Sequence, residues 1–330
     1  MNSDLPIREI SRRALSLRKN VIRMLAAAGS GHPAGALGLA DIYAALFFGD
    51  ENLTRDKKSG GILHYDFAKP GRAARDLLVI SGGHTVPIYY AVLREINVIS
   101  DDEMLTLRKF GSRLQGHPER VKLPWLETTS GPLGEGLSQA AGMAYAIAKF
   151  GKNPRNAAEN LSRKVEEAGD ATDGLSRKVV CVLGDGELDE GENWEAALFA
   201  AKNRLNNLVA VVDFNNIQID GKVADVMPLE PLAGKFAAFG WRVLQIDGNN
   251  VREILAAFAK SFQRSGDGEI AADNRETARP TVIIAKTVPG KGVSFMENDY
   301  RWHGAAPTKE EAEKALRELD DFAKENKGGK

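Results

Sequence analysis

Apolar residues at Ile7, Ile10, Ala14, Leu17, Val21, Met24 and Leu25 recur at three- and four-residue spacing, which predicts an amphipathic helix over 6–28 ended by Gly29. A different pattern follows. Short runs at 77–81, 178–183, 208–213, 242–247 and 280–286 are mostly β-branched and apolar at successive positions, as expected of strands buried between two helix layers. Helical spacing returns between them, at roughly 84–96, 135–150, 192–204, 228–239 and 250–264. This alternation predicts an α/β fold: a doubly wound, mostly parallel sheet with helices on both faces and right-handed crossovers. Ligands of such sheets bind beyond the carboxyl ends of the strands.

Two stretches break the alternation. Residues 151–177, rich in Asn, Asp and Gly, read as a polar insertion on the surface. Ala312, Leu316 and Leu319 predict a terminal helix within 309–330, followed by a flexible charged tail. The expected organisation is one α/β domain over 1–308 and this terminal segment.

Composition then removes whole classes of function. The 330 residues carry 44 Lys and Arg against 45 Asp and Glu, a net charge of −1, so the basic footprint of a nucleic-acid binder is missing. The single cysteine, Cys181, excludes an intrachain disulfide framework and fits a reducing, cytoplasmic setting. Its place in an apolar strand makes it a packing residue. No signal-peptide pattern opens the chain, and no run of about 18 apolar residues occurs, so no membrane association is expected.

The strongest chemical signal lies at the end of the run 178–183. There Gly184-Asp185-Gly186-Glu187-Leu188-Asp189-Glu190-Gly191 leads into a helix, and thirty positions after Asp185, beyond the next strand, comes Asn215 in Asp213-Phe214-Asn215-Asn216-Ile217. Glycines beside an acid let backbone approach a ligand closely. An acid and an amide on neighbouring strand ends are hard oxygen ligands suited to Mg²⁺ that retains a diphosphate. A dinucleotide fingerprint is the rival reading, but the spacing is wrong and the acids would repel a pyrophosphate without a cation. Half of the acidic run, Glu187, Asp189, Glu190 and Glu192, is also explained by favourable charge at a helix start.

Of five histidines, four stand in Gly-rich, loop-like contexts: His32, His84, His117 and His303. An imidazole cluster of this kind suits proton transfer and the binding of sugar hydroxyls or phosphates. His64 lacks that context and reads as structural.

These segments resemble the amino-terminal, diphosphate-binding part of the transketolases, which are thiamine-diphosphate enzymes. The matching stretches include SGHPAGALGLAD (30–41), LVISGGH (78–84), GSRLQGHPE (111–119), TTSGPLGEGLSQAAGMAYA (128–146), VLGDGELDEGENWEAALFAA (182–201), VVDFNNIQIDG (211–221) and RWHGAAPT (301–308). The resemblance implies Mg²⁺, with Ca²⁺ or Mn²⁺ as substitutes, held by Asp185, Asn215 and the Ile217 carbonyl. It places Gly186, His84 and His303 on the diphosphate and Gly131, Pro132 and Leu133 along the aminopyrimidine. Glu190 matches a catalytic acid at a subunit interface, with Glu195 in the same carboxylate network. His32, His117 and His303 match catalytic residues of the substrate channel.

Gly82 and Ala34 depart from the common family residues, and 151–177 is longer than usual. The sequence also stops where the family continues into a pyrimidine-binding domain. The expectation is therefore the amino-terminal subunit of a split transketolase. It would move two-carbon ketol units between sugar phosphates, as in the pentose phosphate pathway, with a separately encoded carboxyl-terminal partner in an α2β2 heterotetramer. Two alternatives stay open. One is another thiamine-diphosphate enzyme, such as deoxyxylulose-phosphate synthase or the α chain of a 2-oxo-acid dehydrogenase; the other is a non-catalytic cofactor-binding module.

Overall fold

The alternating β-branched runs pair in register into one sheet. A computed structural model describes residues 5–49, 61–65, 67, 68, 70, 75–150, 177–262 and 278–328. The insertion at 151–176 lies outside them. Leu77–Ile80 (β1), Val179–Gly184 (β2), Leu208–Phe214 (β3), Arg242–Asp247 (β6) and Thr281–Lys286 (β7) form a five-stranded parallel sheet in the order β1-β2-β3-β7-β6. A separate two-residue hairpin joins Ile217–Gln218 (β4) to Gly221–Lys222 (β5).

Strand period two divides the core into two layers. Leu78, Ile80, Val180, Val182, Val209 and Val211 face one cluster with the helices Leu5–Ala28 (α1), Ala40–Phe48 (α3) and Pro87–Glu95 (α4). Val79, Val179, Cys181, Leu183, Ala210 and Val212 face the other, with the helices Glu135–Phe150 and Gly191–Lys202. The expected helix layers are therefore present on both faces. β6 differs from its prediction: as the edge strand it is only partly buried, because one side has no neighbouring strand among the described residues.

Gly29 takes φ +67° after α1, a left-handed conformation that a β-carbon would strain, so the helix stops there. Three local readings change. Residues 33–48, read only as a motif, form the helix Pro33–Gly38 (α2) and α3. The helix expected over 228–239 narrows to Leu232–Ala238, entered from Pro231, whose ring and missing N–H suit a helix start. The terminal helix spans Lys309–Gly328 and so continues into the charged stretch expected to fray.

A buried ion pair fixes α2 and α3 on α1. Arg18 donates to Asp41 and to the Leu37 carbonyl, while Asn249 donates to Asp41 and the Gly38 carbonyl and accepts from the Val288 amide. That clamp ties the amino-terminal helices to the loops after β6 and β7, at the same sheet edge as the candidate site.

Candidate active site

Parallel register brings the chemistry to one edge. Gly184 pairs with Asp213 and Asp213 with Ala285, so the residues after β2, β3 and β7 emerge side by side. They line a cavity of about 180 Å³ whose walls include His84, Leu133, Asp185, Gly186, Asn215, Ile217 and His303.

Asp185 is 1% exposed and Asp213 is 2% exposed. Asp185 accepts from the Gly186 and Asn216 amides. Asn216 reaches its position at φ +60°, a conformation Asn tolerates better than most residues. Asp213 accepts from Thr287 and from Asn215 Nδ2, and Asn215 Oδ1 accepts the Ile217 amide at 2.9 Å. Burial, and then the negative charge of Asp213, push the Asp185 carboxyl up to about 7 against those amide bonds. Burial also raises Asp213 to about 6. Such acids resist ionisation unless a cation joins them.

Glu187 is a third buried carboxylate. It accepts from the Ser81 hydroxyl and the Gly134 and Gly184 amides, tying β1, β2 and the loop before Glu135–Phe150 together. Helix-start charge therefore explains only the exposed Asp189, Glu190 and Glu192, not Glu187. Its signal in the sequence was its place two residues after Asp185.

Two imidazoles, His84 and His303, line the cavity, and the His32 ring packs against both. Ring centroids lie 5.1 Å apart for His32 and His84, 5.2 Å for His84 and His303 and 5.7 Å for His32 and His303. Burial, reinforced by the neighbouring imidazoles, lowers His84 to about 3; burial and the charges of His303 and Arg108 lower His32 to about 4. His303 is lowered by burial alone. Near neutrality all three are uncharged, and His32 Nδ1 is buried without a hydrogen-bond partner among the described residues.

Residues 11–325 match the family described as transketolase, thiamine diphosphate binding domain. The chain belongs to this transketolase family. It is 34% identical over 315 residues to an apulose-4-phosphate transketolase subunit of Phocaeicola vulgatus, covering 94% of this chain and 95% of that one. A Clostridium 6-deoxy-6-sulfo-D-fructose transketolase subunit is 32% identical over 312 residues, with 94% and 96% covered. Human transketolase is 34% identical over 303 residues, yet the chain spans only 41% of it. The crystal structure of Campylobacter jejuni transketolase superposes with a TM-score of 0.73 at 31% identity, over 93% of this chain and 43% of the solved one.

Other transketolase-type positions lie around the pocket rather than in it. His117 is exposed and packs on Gly131, where a β-carbon would come 3.7 Å from its Cγ. Pro132 and Leu133 are exposed, and only Leu133 lines the cavity. Glu190 is exposed against Gly134 and precedes the helix Gly191–Lys202, on which Glu195 is also exposed. Trp194 packs on Phe236 and Phe239, while Phe199 meets Tyr145 and stays 41% exposed. His64 donates its backbone N–H to Asp76, away from the imidazole cluster.

Proposed function

We propose that this chain is the diphosphate-holding subunit of a two-chain transketolase that transfers a two-carbon ketol unit from a ketose to an aldose, both as sugar phosphates. One observation carries the reading: buried acids and uncharged imidazoles face each other across a single strand-end pocket. When bound, thiamine diphosphate supplies the electron sink for breaking and making the carbon–carbon bond.

The donor set fits the metal. The Asp185 carboxylate, the Asn215 amide oxygen and the Ile217 carbonyl are hard oxygens, suited to Mg²⁺ and, less selectively, to Mn²⁺ or Ca²⁺. A cation beside Asp185 also offsets the like charge of Asp213, which nothing else among the described residues does. His84, Gly186 and His303 hold the diphosphate. Because the imidazoles are uncharged, they offer one N–H donor each, and the metal meets the anionic charge.

Gly131, Pro132 and Leu133 lie along the aminopyrimidine. His32, His117 and His303 bind donor hydroxyls and carry protons, since an anion beside an imidazole raises its affinity for a proton from the low value of the empty pocket. Glu190 faces a separately encoded subunit with a pyrimidine-binding domain, two copies of each chain completing the cytoplasmic enzyme. The subunit-length relatives support that arrangement.

Calorimetry with thiamine diphosphate, with and without Mg²⁺, tests the site; no binding in excess metal overturns it. Ketol transfer assayed with and without a candidate partner tests the arrangement. Full activity of the lone chain overturns the two-chain reading.

A further inference from the structure

One buried polar atom at the cavity has no partner among the described residues and received no role from the motifs. Seven buried side-chain nitrogen and oxygen atoms are without a hydrogen bond there, and Gln218 Nε2 alone among them belongs to a residue that lines the cavity. It also differs from the others in kind. A hydroxyl, a carbonyl oxygen or an imidazole nitrogen can accept, whereas an amide nitrogen can only donate. Four carboxylates, Asp185, Glu187, Asp213 and Asp220, line the same cavity, and none of them takes this donor.

The hairpin fixes where that amide sits. Gln218 is the second residue of β4, pairs with Gly221 of β5 and directly follows Ile217. The turn before it is held from both sides: the Ile217 amide donates to Asn215 Oδ1 and the Asn216 amide to Asp185, while the Asn216 carbonyl and side chain accept the amides of Val223 and Ala224. From this root the side chain lies over Gly186. A β-carbon on Gly186 would come 3.4 Å from Gln218 Cβ and Cδ and 2.9 Å from Oε1, so the near end of the side chain packs there as well as its tip.

The amide therefore stands between the groups assigned to the cation and to the diphosphate. Gln218 adjoins Ile217 in sequence and Gly186 in space, and Gly186 follows Asp185. A buried donor without an acceptor disfavours the empty pocket, and a phosphate oxygen entering beside Gly186 supplies that acceptor. Because the amide is neutral, it contributes direction rather than charge, which the proposed cation supplies.

We infer that Gln218 is a diphosphate-positioning residue whose side-chain N–H donates to the phosphate next to Gly186 and fixes how the diphosphate sits at the end of β2. This rests on the proposed function for the identity of the ligand and adds a donor from outside the motif residues. The hairpin β4–β5 thereby acquires a use: it carries the amide to the pocket on a short, bonded turn.

Titration calorimetry on the full chain in excess Mg²⁺ tests this, with thiamine diphosphate and inorganic pyrophosphate as the two probes. Gln218→Met keeps the bulk over Gly186 and removes the donor, whereas Gln218→Ala removes both. Each should raise the dissociation constant for either probe about tenfold or more, the scale of one hydrogen bond to a charged group. Free of metal and cofactor, Gln218→Met should melt at or above the temperature of the parent, because an unsatisfied buried donor is gone. A glutamine that serves structure alone gives the opposite sign.

Unchanged thiamine diphosphate affinity in Gln218→Met overturns the inference. So does tighter binding, which would make the amide an obstacle, or a loss confined to Gln218→Ala, which would make it a spacer. A lower melting temperature in the empty Gln218→Met protein assigns the residue to structure and overturns it too. A parent that binds pyrophosphate but not thiamine diphosphate overturns the proposed function and leaves Gln218 to be judged on the pyrophosphate titration; a parent that binds neither overturns both.

Discussion

Two buried charged clusters sit at the same sheet edge and behave oppositely. In one, Asp41 and Arg18, 6% and 4% exposed, pair directly, and Asn249 donates to Asp41 as well, so every charge has an opposite. In the other, Asp185, Asp213 and Glu187 are at least as deeply buried, and no lysine or arginine among the described residues contributes to their environment. Amides and hydroxyls satisfy their oxygens without neutralising them. The first cluster is complete as folded and serves structure. On the proposed reading the second would become favourable when a cation arrives, which is how a pocket reserves its binding energy for a ligand.

The largest expected effect breaks the closed cluster. Arg18→Met leaves Asp41 buried without its cation and should cost about 3–5 kcal/mol in urea unfolding. A loss under about 1 kcal/mol would mean that the pair is solvated and that the contrast with the pocket is false.

Asp185→Ala should act the other way round. Unfolding of the metal-free protein should be as hard as in the parent or slightly harder, since a repelled buried acid is removed. Calorimetry should show thiamine diphosphate affinity in excess Mg²⁺ falling about a hundredfold, the scale of one charged ligand. Unchanged affinity would remove Asp185 from the metal site.

The imidazole wall makes a pH prediction of intermediate size. His84 has an ordinary value near 6.5 and is lowered to about 3, so the unfolded chain binds the proton first as pH falls. Its contribution to stability is complete above pH 6.5 and is lost progressively as pH drops toward 3. Between pH 7.5 and pH 5 the parent, free of cofactor, should lose about 2 kcal/mol more than His84→Gln. Parallel stability curves for the two proteins would show that the ring is solvated.

The smallest effect separates the pocket from its rim. His117→Ala should raise the donor KM about tenfold with thiamine diphosphate affinity within about twofold of the parent, whereas His303→Ala should weaken both. Equal effects in the two variants would erase the distinction between the exposed His117 and the half-buried trio.

Much of this is legible in the order of residues alone. The continuous β-branched, apolar runs yielded all five strands of the main sheet, and the period of α1 gave its length within a residue or two. Asp185, Asn215 and the four loop histidines were readable because glycine-flanked polar residues at strand ends have few structural reasons to exist. Boundaries were weaker where prolines or tertiary contacts set them, as at 228–239. α2 and α3 escaped notice because their residues are buried on nearly every side and so show no helical stripe.

Local rules determined what lies at short range: which segments pair as strands, which turn on glycine, and which residue types could bind a cation. Only the tertiary structure decided which charges meet. Arg18 and Asp41 are 23 positions apart, and Ser81 and Glu187 are 106. Burial separates a carboxylate that is merely acidic from one raised to about 7, and burial belongs to the assembled core rather than to any stretch of chain. Sequence therefore named the candidate ligands, while packing alone determined which of them remain without a partner.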